Sequence, residues 1–338
     1  MNSKERCFAV LKGEEADRIP VFPLMMFFAA DRAGAPYRRY VQEAGVLAEA
    51  QLNLHENYML DAVTVCSDAF RVSADVGAEM AFPENQTPYA VRPAIRGRQD
   101  LGAARRPDPM KPGSRMRNRV DAVEKLAKAV GDEALVVGWV EMPFAEACDL
   151  CGLSDFMTML YDDPGLAHEV LEFAIGIEID FALAQLDAGA HIIGCGDAAA
   201  SLISAPAFRE FALPYERRVT EAIRDAGGMS KLHICGNTMH ILDDMASNGA
   251  DLYNIDHMVD FSAASRVYDA AGKAFKGNVD PVAHLLQATP EEAAEAAMSC
   301  VRAAEGMRYM LGAGCEIPAA TPDEVYFAFA GTVVSDGI

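Results

Sequence analysis

Three residues with the chemistry of metal ligands occur in two short stretches of the chain. "KLHICGNT" spans residues 231–238 and "LGAGCEIP" spans 311–318, and together they contain His233, Cys235 and Cys315. Because His233 and Cys235 are two residues apart in a predicted strand, their side chains point to the same face. One imidazole and two thiolates suit tetrahedral zinc and leave a fourth position for a substrate. The alternative is a hydrogen-bonded core histidine among buried cysteines, and we favour the metal site.

Further polar side chains stand at the ends of other predicted strands. Glu141, in "GWVEMPF", lies among apolar neighbours where an ionised carboxylate needs a partner, so we take it as a catalytic candidate. Asp68 and Asp197 are candidates for acid–base catalysis, with helix capping as the equal alternative. His257 is a candidate contact to the metal or ligand. Candidates for binding a large polar ligand or cofactor, with turn formation as the alternative, are Asn237, Asn278 and Asp280.

The elements that must position these residues follow an alternating pattern of apolar runs and helical segments. This pattern is typical of βα units with a parallel sheet, and eight units predict an α/β fold of the TIM type, a (β/α)₈ barrel, as one domain over 1–338. A doubly wound open sheet is less favoured because no GxGxxG follows the first strand. The eight predicted strands lie in 18–26, 60–68, 134–144, 190–200, 229–237, 251–257, 273–281 and 308–318.

Several sequence signals set the expected helix boundaries. Asp163-Pro164 and Thr289-Pro290 combine a capping residue with proline at the first helical position, which indicates helix starts. A further helix is expected from Ser204 to Gly227. The segment 75–120, rich in Pro, Arg and Gly, interrupts the pattern after the second strand. We expect it to be an insertion near the barrel mouth, with a hairpin before a helix at 120–130.

Composition excludes several classes of partner. The 338 residues include 29 basic and 50 acidic side chains, a net charge of −21, which argues against binding to nucleic acid or an anionic membrane. No apolar stretch is long enough for a membrane span, and we find no signal peptide, so we expect a cytoplasmic protein. The eight cysteines should then be reduced, and "CDLC" at 148–151 should be structural.

The chain resembles the uroporphyrinogen decarboxylase superfamily along essentially its whole length. The resemblance is carried by "RCFAVLKGEEADRIPVFP" near the N-terminus and by "HICGNT", "GNVDP" and "GAGCEIP" at later strand ends. The His-x-Cys…Cys pattern is similar to that of the methyltransferase branch. The resemblance implies that His233, Cys235 and Cys315 bind zinc, which deprotonates a thiol such as coenzyme M. It also implies a fourth ligand, a carboxylate near the sixth strand, and here Asp256 or His257 would fill that role.

The same resemblance implies a corrinoid partner. The thiolate would take a methyl group from a methyl-corrinoid (methylcobalamin chemistry), and no DxHxxG cobalamin signature occurs here, so we expect the corrinoid on a separate protein. Candidate cations for an anionic thiol tail are Arg32, Arg38 and Lys276.

Three other functions compete with this one. The first is a demethylase that moves a methyl group from a methoxylated or methylamine substrate to cob(I)alamin. The second is a non-catalytic corrinoid-binding protein. The third is tetrapyrrole decarboxylation, for which "MMFFAADRAGAPYRRY" lacks the paired arginines of the decarboxylase loop.

Overall fold

A parallel sheet of seven strands forms the centre of the protein in the computed structural model, which describes residues 1–334. The strands are β1 (Ala62–Thr64), β2 (Glu79–Ala81), β3 (Tyr89–Arg92), β4 (Leu135–Glu141), β5 (Ile192–Gly196), β6 (Met229–His233), β7 (Leu252–Asn254), β8 (Ala274–Val279) and β9 (Tyr309–Ala313). The sheet has the order β1-β4-β5-β6-β7-β8-β9, and β2 and β3 form a separate antiparallel pair. Every residue of β4, β5 and β9 is buried, as expected for parallel strands covered on both faces.

The sheet curls until its two edge strands meet the same segment, residues 20–24. On one side, Phe22 N donates to Leu311 O at 2.8 Å, and Leu24 forms a parallel bridge with Glu316. On the other side, Asp61 N donates to Val21 O at 2.9 Å, directly before β1. Seven of the eight predicted strands are therefore confirmed, and the first exists as an extended segment with isolated bridges.

Helices pack around the outside of the sheet, and their starts follow the sequence signals. Asp163 Oδ1 accepts a hydrogen bond from Leu166 N at 3.0 Å, and Thr289 forms a capping box with Glu292. The α-helices are α1 (Ser3–Lys12), α2 (Phe27–Arg32), α3 (Tyr37–Gln42), α4 (Ala44–Asn57), α5 (Arg71–Val76), α6 (Arg98–Ala103), α7 (Arg115–Val130), α8 (Pro143–Cys151), α9 (Leu153–Asp162), α10 (Pro164–Asp187), α11 (Ala205–Phe211), α12 (Leu213–Asp225), α13 (Leu242–Ala246), α14 (Phe261–Ala270), α15 (Pro290–Ala303) and α16 (Asp323–Val334).

Two predicted segments differ in detail from the structure. The helix expected from Ser204 to Gly227 is divided into α11 and α12, because Pro214 has no amide hydrogen to continue the first helix. The segment 75–120 does contain a hairpin, β2–β3, but the short helix α6 follows it, and the helix expected at 120–130 starts earlier, at Arg115, where Ser114 caps it. That this segment is an insertion near the barrel mouth stays a prediction.

A buried ion network closes the N-terminal end of the sheet, beneath the strand ends that carry the candidate ligands. Asp61 is fully buried and accepts hydrogen bonds from Arg6 Nη1 at 2.6 Å, Arg18 Nη1 at 2.8 Å and Val21 N at 2.7 Å. These bonds fix the segment 20–24 against β1. No helix in residues 1–334 combines the length and apolarity needed to cross a bilayer.

Candidate metal centre

His233, Cys235 and Cys315 meet at the C-terminal edge of the sheet, as the sequence predicts. Their ligand atoms all lie within 4.8 Å of one another, although Cys235 and Cys315 are eighty residues apart. Cys235 Sγ is 3.2 Å from His233 Nε2 and 3.9 Å from Cys315 Sγ. His233 ends β6, and Cys315 follows β9, so two separate strands bring the thiols together.

These distances fit a tetrahedral zinc ion. With Zn–S near 2.3 Å and Zn–N near 2.0–2.1 Å, tetrahedral angles separate two sulfurs by about 3.8 Å and a sulfur from a nitrogen by about 3.5 Å. The observed 3.9 Å and 3.2 Å are close to both values. The donor set of one imidazole and two thiols is also the set that borderline-soft Zn²⁺ prefers.

The imidazole of His233 is oriented by the neighbouring strand. His233 pairs with Asn254 in the β6–β7 register, and its Nδ1 lies 3.4 Å from Asn254 O. A proton on Nδ1 faces this carbonyl and leaves the lone pair of Nε2 directed at Cys235. This is the usual second contact of a metal-binding histidine.

The two thiols are within hydrogen-bonding distance of each other. The hydrogen bond from Cys235 lowers the pKa of Cys315 to about 3, and the same bond raises the pKa of Cys235. A bound cation would favour loss of the proton from both thiols.

Asp256 and His257 stand beside the three ligands but do not join them. Continuing the register in which His233 pairs with Asn254 brings Asp256 level with Cys235. Asp256 Oδ1 accepts from Met258 N at 2.9 Å and lies 3.2 Å from His257 Nδ1. Among the described residues, the ligand group within 4.8 Å contains no carboxylate, so the fourth ligand stays a prediction.

Gly314 allows the loop after β7 to lie close to Cys315. A Cβ atom at Gly314 would lie 2.2 Å from His257 N, which no side chain tolerates. The glycine in "GAGCEIP" therefore permits the backbone of residues 256–257 to approach the second cysteine.

Glu141 extends across Gly196 toward the strand of His233. Gly196 pairs with Glu141 on one side and with His233 on the other, and a Cβ atom on Gly196 would lie 2.4 Å from Glu141 Oε2. Glu141 Oε1 accepts from Arg71 Nη2 at 2.5 Å and Trp139 Nε1 at 3.1 Å. Burial raises the pKa of Glu141 to about 7, even though Arg71 acts to lower it. The carboxyl group can thus both hold and release a proton near neutral pH.

Asp68 is held in an ion pair beside this region. Its two carboxylate oxygens accept from the two terminal nitrogens of Arg115 at 2.7 and 2.8 Å, and Ser67 Oγ donates at 2.8 Å. Burial acts to raise the pKa of Asp68, but Arg115 outweighs it, so the pKa falls below its usual range. These contacts order the loop after β1, and a catalytic role for Asp68 stays a prediction.

Asp197 is not brought together with the metal ligands. Gly194 and Gly196 alternate with Cys195 on β5 and with Asp197 directly after it, and the pairing of Gly196 with His233 puts the odd-numbered side chains on the outer face. The carboxylate is fully buried, has no hydrogen-bond donor among the described residues, and faces Glu216 on α12. Burial and the nearby Glu216 both raise its pKa.

The three predicted cofactor contacts lie at the same edge of the sheet, Asn237 and Asp280 on loops and Asn278 on β8. Asn237 Oδ1 accepts from Met239 N at 3.1 Å, and Asp280 Oδ1 accepts from Val282 N at 2.8 Å. Asn278 Nδ2 donates to Asp256 O at 3.1 Å and Val259 O at 2.8 Å. Asn278 and Asp280, with His257, also line a groove of about 1130 Å³ against α15.

Two groups near the site were not singled out from the sequence. Arg71, the partner of Glu141, is seventy residues away in the chain, and no spacing rule connects them. Lys231 precedes His233 by two residues and so shares its face, a signal that alternation alone could have given. Burial lowers the pKa of Lys231 to about 8.

Comparison with known proteins places this geometry in a family. Residues 2–335 match the family described as "Uroporphyrinogen decarboxylase (URO-D)". The chain belongs to the uroporphyrinogen decarboxylase family. A methylcobamide:CoM methyltransferase, MtbA of Methanosarcina acetivorans, is 28% identical over 333 residues, 94% of each chain. A uroporphyrinogen decarboxylase of Synechococcus sp. is 27% identical over 343 residues, 96% of this chain and 95% of that one.

Solved structures agree with the fold. A methyltransferase from Methanosarcina mazei superposes with a TM-score of 0.89 at 25% identity, covering 98% of both chains. A B12-independent methionine synthase from Shewanella sp. W3-18-1, with a TM-score of 0.57 and 13% identity, shares the fold alone. These relatives support a methyltransferase of this superfamily, and identity alone does not separate the two activities.

Proposed function

We propose that this protein is a zinc-dependent methyltransferase that moves a methyl group from a methyl-corrinoid on a separate protein to a thiol such as coenzyme M. The observation that carries the proposal is the cluster of His233, Cys235 and Cys315, at distances suited to tetrahedral zinc. Decarboxylation of a tetrapyrrole gives no reason for such a cluster. The similarity to a methylcobamide:CoM methyltransferase supports the same choice.

The arginines near the first strand support this choice over decarboxylation. Arg32 is bound to Asp323 at 2.8 Å and to Thr321 O at 2.7 Å. Arg39 is paired with Glu43 at 2.7 Å on the surface. Arg32, the residue that echoes the decarboxylase loop, is therefore held by partners within the chain, in agreement with the missing arginine loop.

In the proposed reaction, the chain's residues bind the metal and manage the thiol proton. His233, Cys235 and Cys315 would hold zinc, which when bound lowers the pKa of a thiol and so favours the nucleophilic thiolate. Glu141 is our candidate acceptor for the thiol proton, because its Oε2 reaches across Gly196 toward His233 and its pKa is near 7. Arg71 and Trp139 hold the other oxygen and so orient the group.

Three predicted roles complete the proposal. Asp256, level with Cys235, is the better placed of the two candidates for a fourth ligand in the absence of substrate. The corrinoid is expected at the sheet edge where Asn237, Asn278 and Asp280 lie. Asp197 is enclosed on the outer face, so any effect of it on catalysis would act through the packing of β5 against α12.

A methyl-transfer assay tests the function. Zinc-loaded protein is mixed with methylcobalamin and a panel of thiols, and the absorbance of cob(I)alamin or cob(II)alamin is followed. We expect thiol-dependent demethylation in the wild type and its loss in Cys315→Ser. Methyl transfer only from methoxylated aromatics or methylamines to cob(I)alamin would favour the demethylase instead. Conversion of uroporphyrinogen, without any methyl transfer, would overturn the proposal.

A further inference from the structure

Lys231 is a buried cation without an ordinary partner. It is 1% exposed and lies in the interior of the curled sheet, and among the described residues its side chain makes no hydrogen bond or ion pair. Its ammonium group rests on aromatic faces, 4.4 Å from the ring centroid of Trp139 and 5.7 Å from that of Phe22. Burying a charge in this way is costly unless an opposite charge offsets it.

A second interior lysine provides a contrast. Lys276 on β8 is also fully buried, but it donates a hydrogen bond to Phe22 O and so ties the segment 20–24 to the sheet. Its place in the fold is therefore explained by a contact. No comparable contact explains Lys231.

Strand register places Lys231 directly beneath the candidate metal ligands. Lys231 is two residues before His233 on β6 and pairs with Gly194, whose missing side chain makes room for Trp139. The ammonium group thus lies in the interior layer beneath the metal ligands.

Charge counting shows which ligand such a cation would favour. A divalent ion with two thiolates and a neutral imidazole has no net charge. A thiolate in the fourth position makes the complex negative, whereas a neutral ligand leaves it uncharged. A fixed positive charge beneath the site stabilises only the first of these.

We propose that Lys231 is a positioning residue that selects an anionic thiolate as the fourth ligand of the metal centre. This inference rests on the proposed function, since it needs a metal at His233, Cys235 and Cys315. Its effect is electrostatic and does not require contact between Lys231 and the substrate.

The test compares an anionic and a neutral ligand on cobalt-substituted protein. Wild type, Lys231→Met and the exposed control Lys125→Met are loaded with Co²⁺ and titrated with 2-mercaptoethanol and, separately, imidazole, following the visible spectrum. We expect Lys231→Met to weaken 2-mercaptoethanol binding at least tenfold and to change imidazole binding less than twofold. Lys125→Met should match the wild type for both ligands.

Other outcomes would overturn the inference. Equal thiol affinity in Lys231→Met and wild type, or parallel weakening of both ligands, would refute it while leaving the proposed function intact. A wild type that binds no Co²⁺ through its cysteines would refute the metal centre and this inference together. If Lys231→Met does not fold, Lys231→Arg and Lys231→Gln are compared instead. Only Lys231→Arg, which keeps the positive charge, should then bind 2-mercaptoethanol as tightly as the wild type.

Discussion

Replacing Glu141 by glutamine should change how the stability of this protein depends on pH. Glutamine keeps the shape of the protonated side chain but cannot ionise. Glu141 is buried, accepts from Arg71 and Trp139, and has its pKa raised to about 7 by burial. A Glu141→Gln variant therefore removes the penalty of ionising this group inside the protein.

The expected magnitude follows from the two pKa values. The usual pKa is 4.5 and the folded one about 7, and each pH unit between them corresponds to about 1.4 kcal/mol, so about 3 kcal/mol is at stake. Because the folded pKa is raised, protonation stabilises the wild type fully below pH 4.5 and that contribution is lost as pH rises to about 7. Across that range, the free energy of unfolding of the variant should rise by about 3 kcal/mol relative to that of the wild type. A pH-independent loss, from the weaker contact with Arg71, is expected in addition.

Urea denaturation of metal-free protein, followed by circular dichroism from pH 4.5 to 8.5, measures the difference. Trp139 fluorescence is unsuitable, because the indole contacts the substituted residue. Glu56→Gln, on an exposed position of α4, serves as the control and should show a nearly constant difference from the wild type. A pH-independent difference for Glu141→Gln, or a gain toward low pH, would refute the reasoning.

Three further substitutions test other parts of the account. Gly196→Ala puts a Cβ atom 2.4 Å from Glu141 Oε2, and we expect a loss of about 1–3 kcal/mol in urea denaturation; an unchanged stability would mean that Glu141 does not cover the glycine. Asp61→Asn removes the fully buried carboxylate shared by Arg6 and the half-buried Arg18, so about 3–5 kcal/mol should be lost in thermal denaturation, and a loss below about 1 kcal/mol would contradict this. Burial raises the pKa of Glu178, which neighbours Glu146, to about 8. The protonated form stabilises the wild type at low pH, and this contribution is lost as pH rises toward 8. The melting temperature of Glu178→Gln should therefore rise relative to that of the wild type between pH 5 and pH 9. An equal difference in melting temperature at both pH values would refute this prediction.

Much of the fold could be predicted because its signals are local. Seven strands are buried on both faces and read as apolar runs, and the caps at Asp163 and Thr289 mark the starts of α10 and α15. The segment 20–24 was harder, because its irregular pairing depends on Asp61 and Leu311, which lie far along the chain. The break at Pro214 was visible in the sequence but competes with a continuous helical pattern.

The metal cluster could be predicted because strand alternation and strand ends are enough to bring His233, Cys235 and Cys315 together. The outward orientation of the Asp197 side chain could not be predicted, because it depends on the register between β5 and β6 rather than on its own segment. The partner of Glu141 was also out of reach, since only the tertiary structure brings Arg71 to it.

The central claim is that one histidine and two cysteines of this chain hold zinc. X-ray absorption at the zinc edge, on protein purified without chelators, tests it most directly together with metal analysis. We predict about one zinc per chain with two sulfur neighbours near 2.3 Å and a histidine nitrogen near 2.0 Å, and the loss of one sulfur or of the metal in Cys235→Ser and Cys315→Ser. Protein without zinc, or zinc surrounded only by oxygen and nitrogen, would contradict the account.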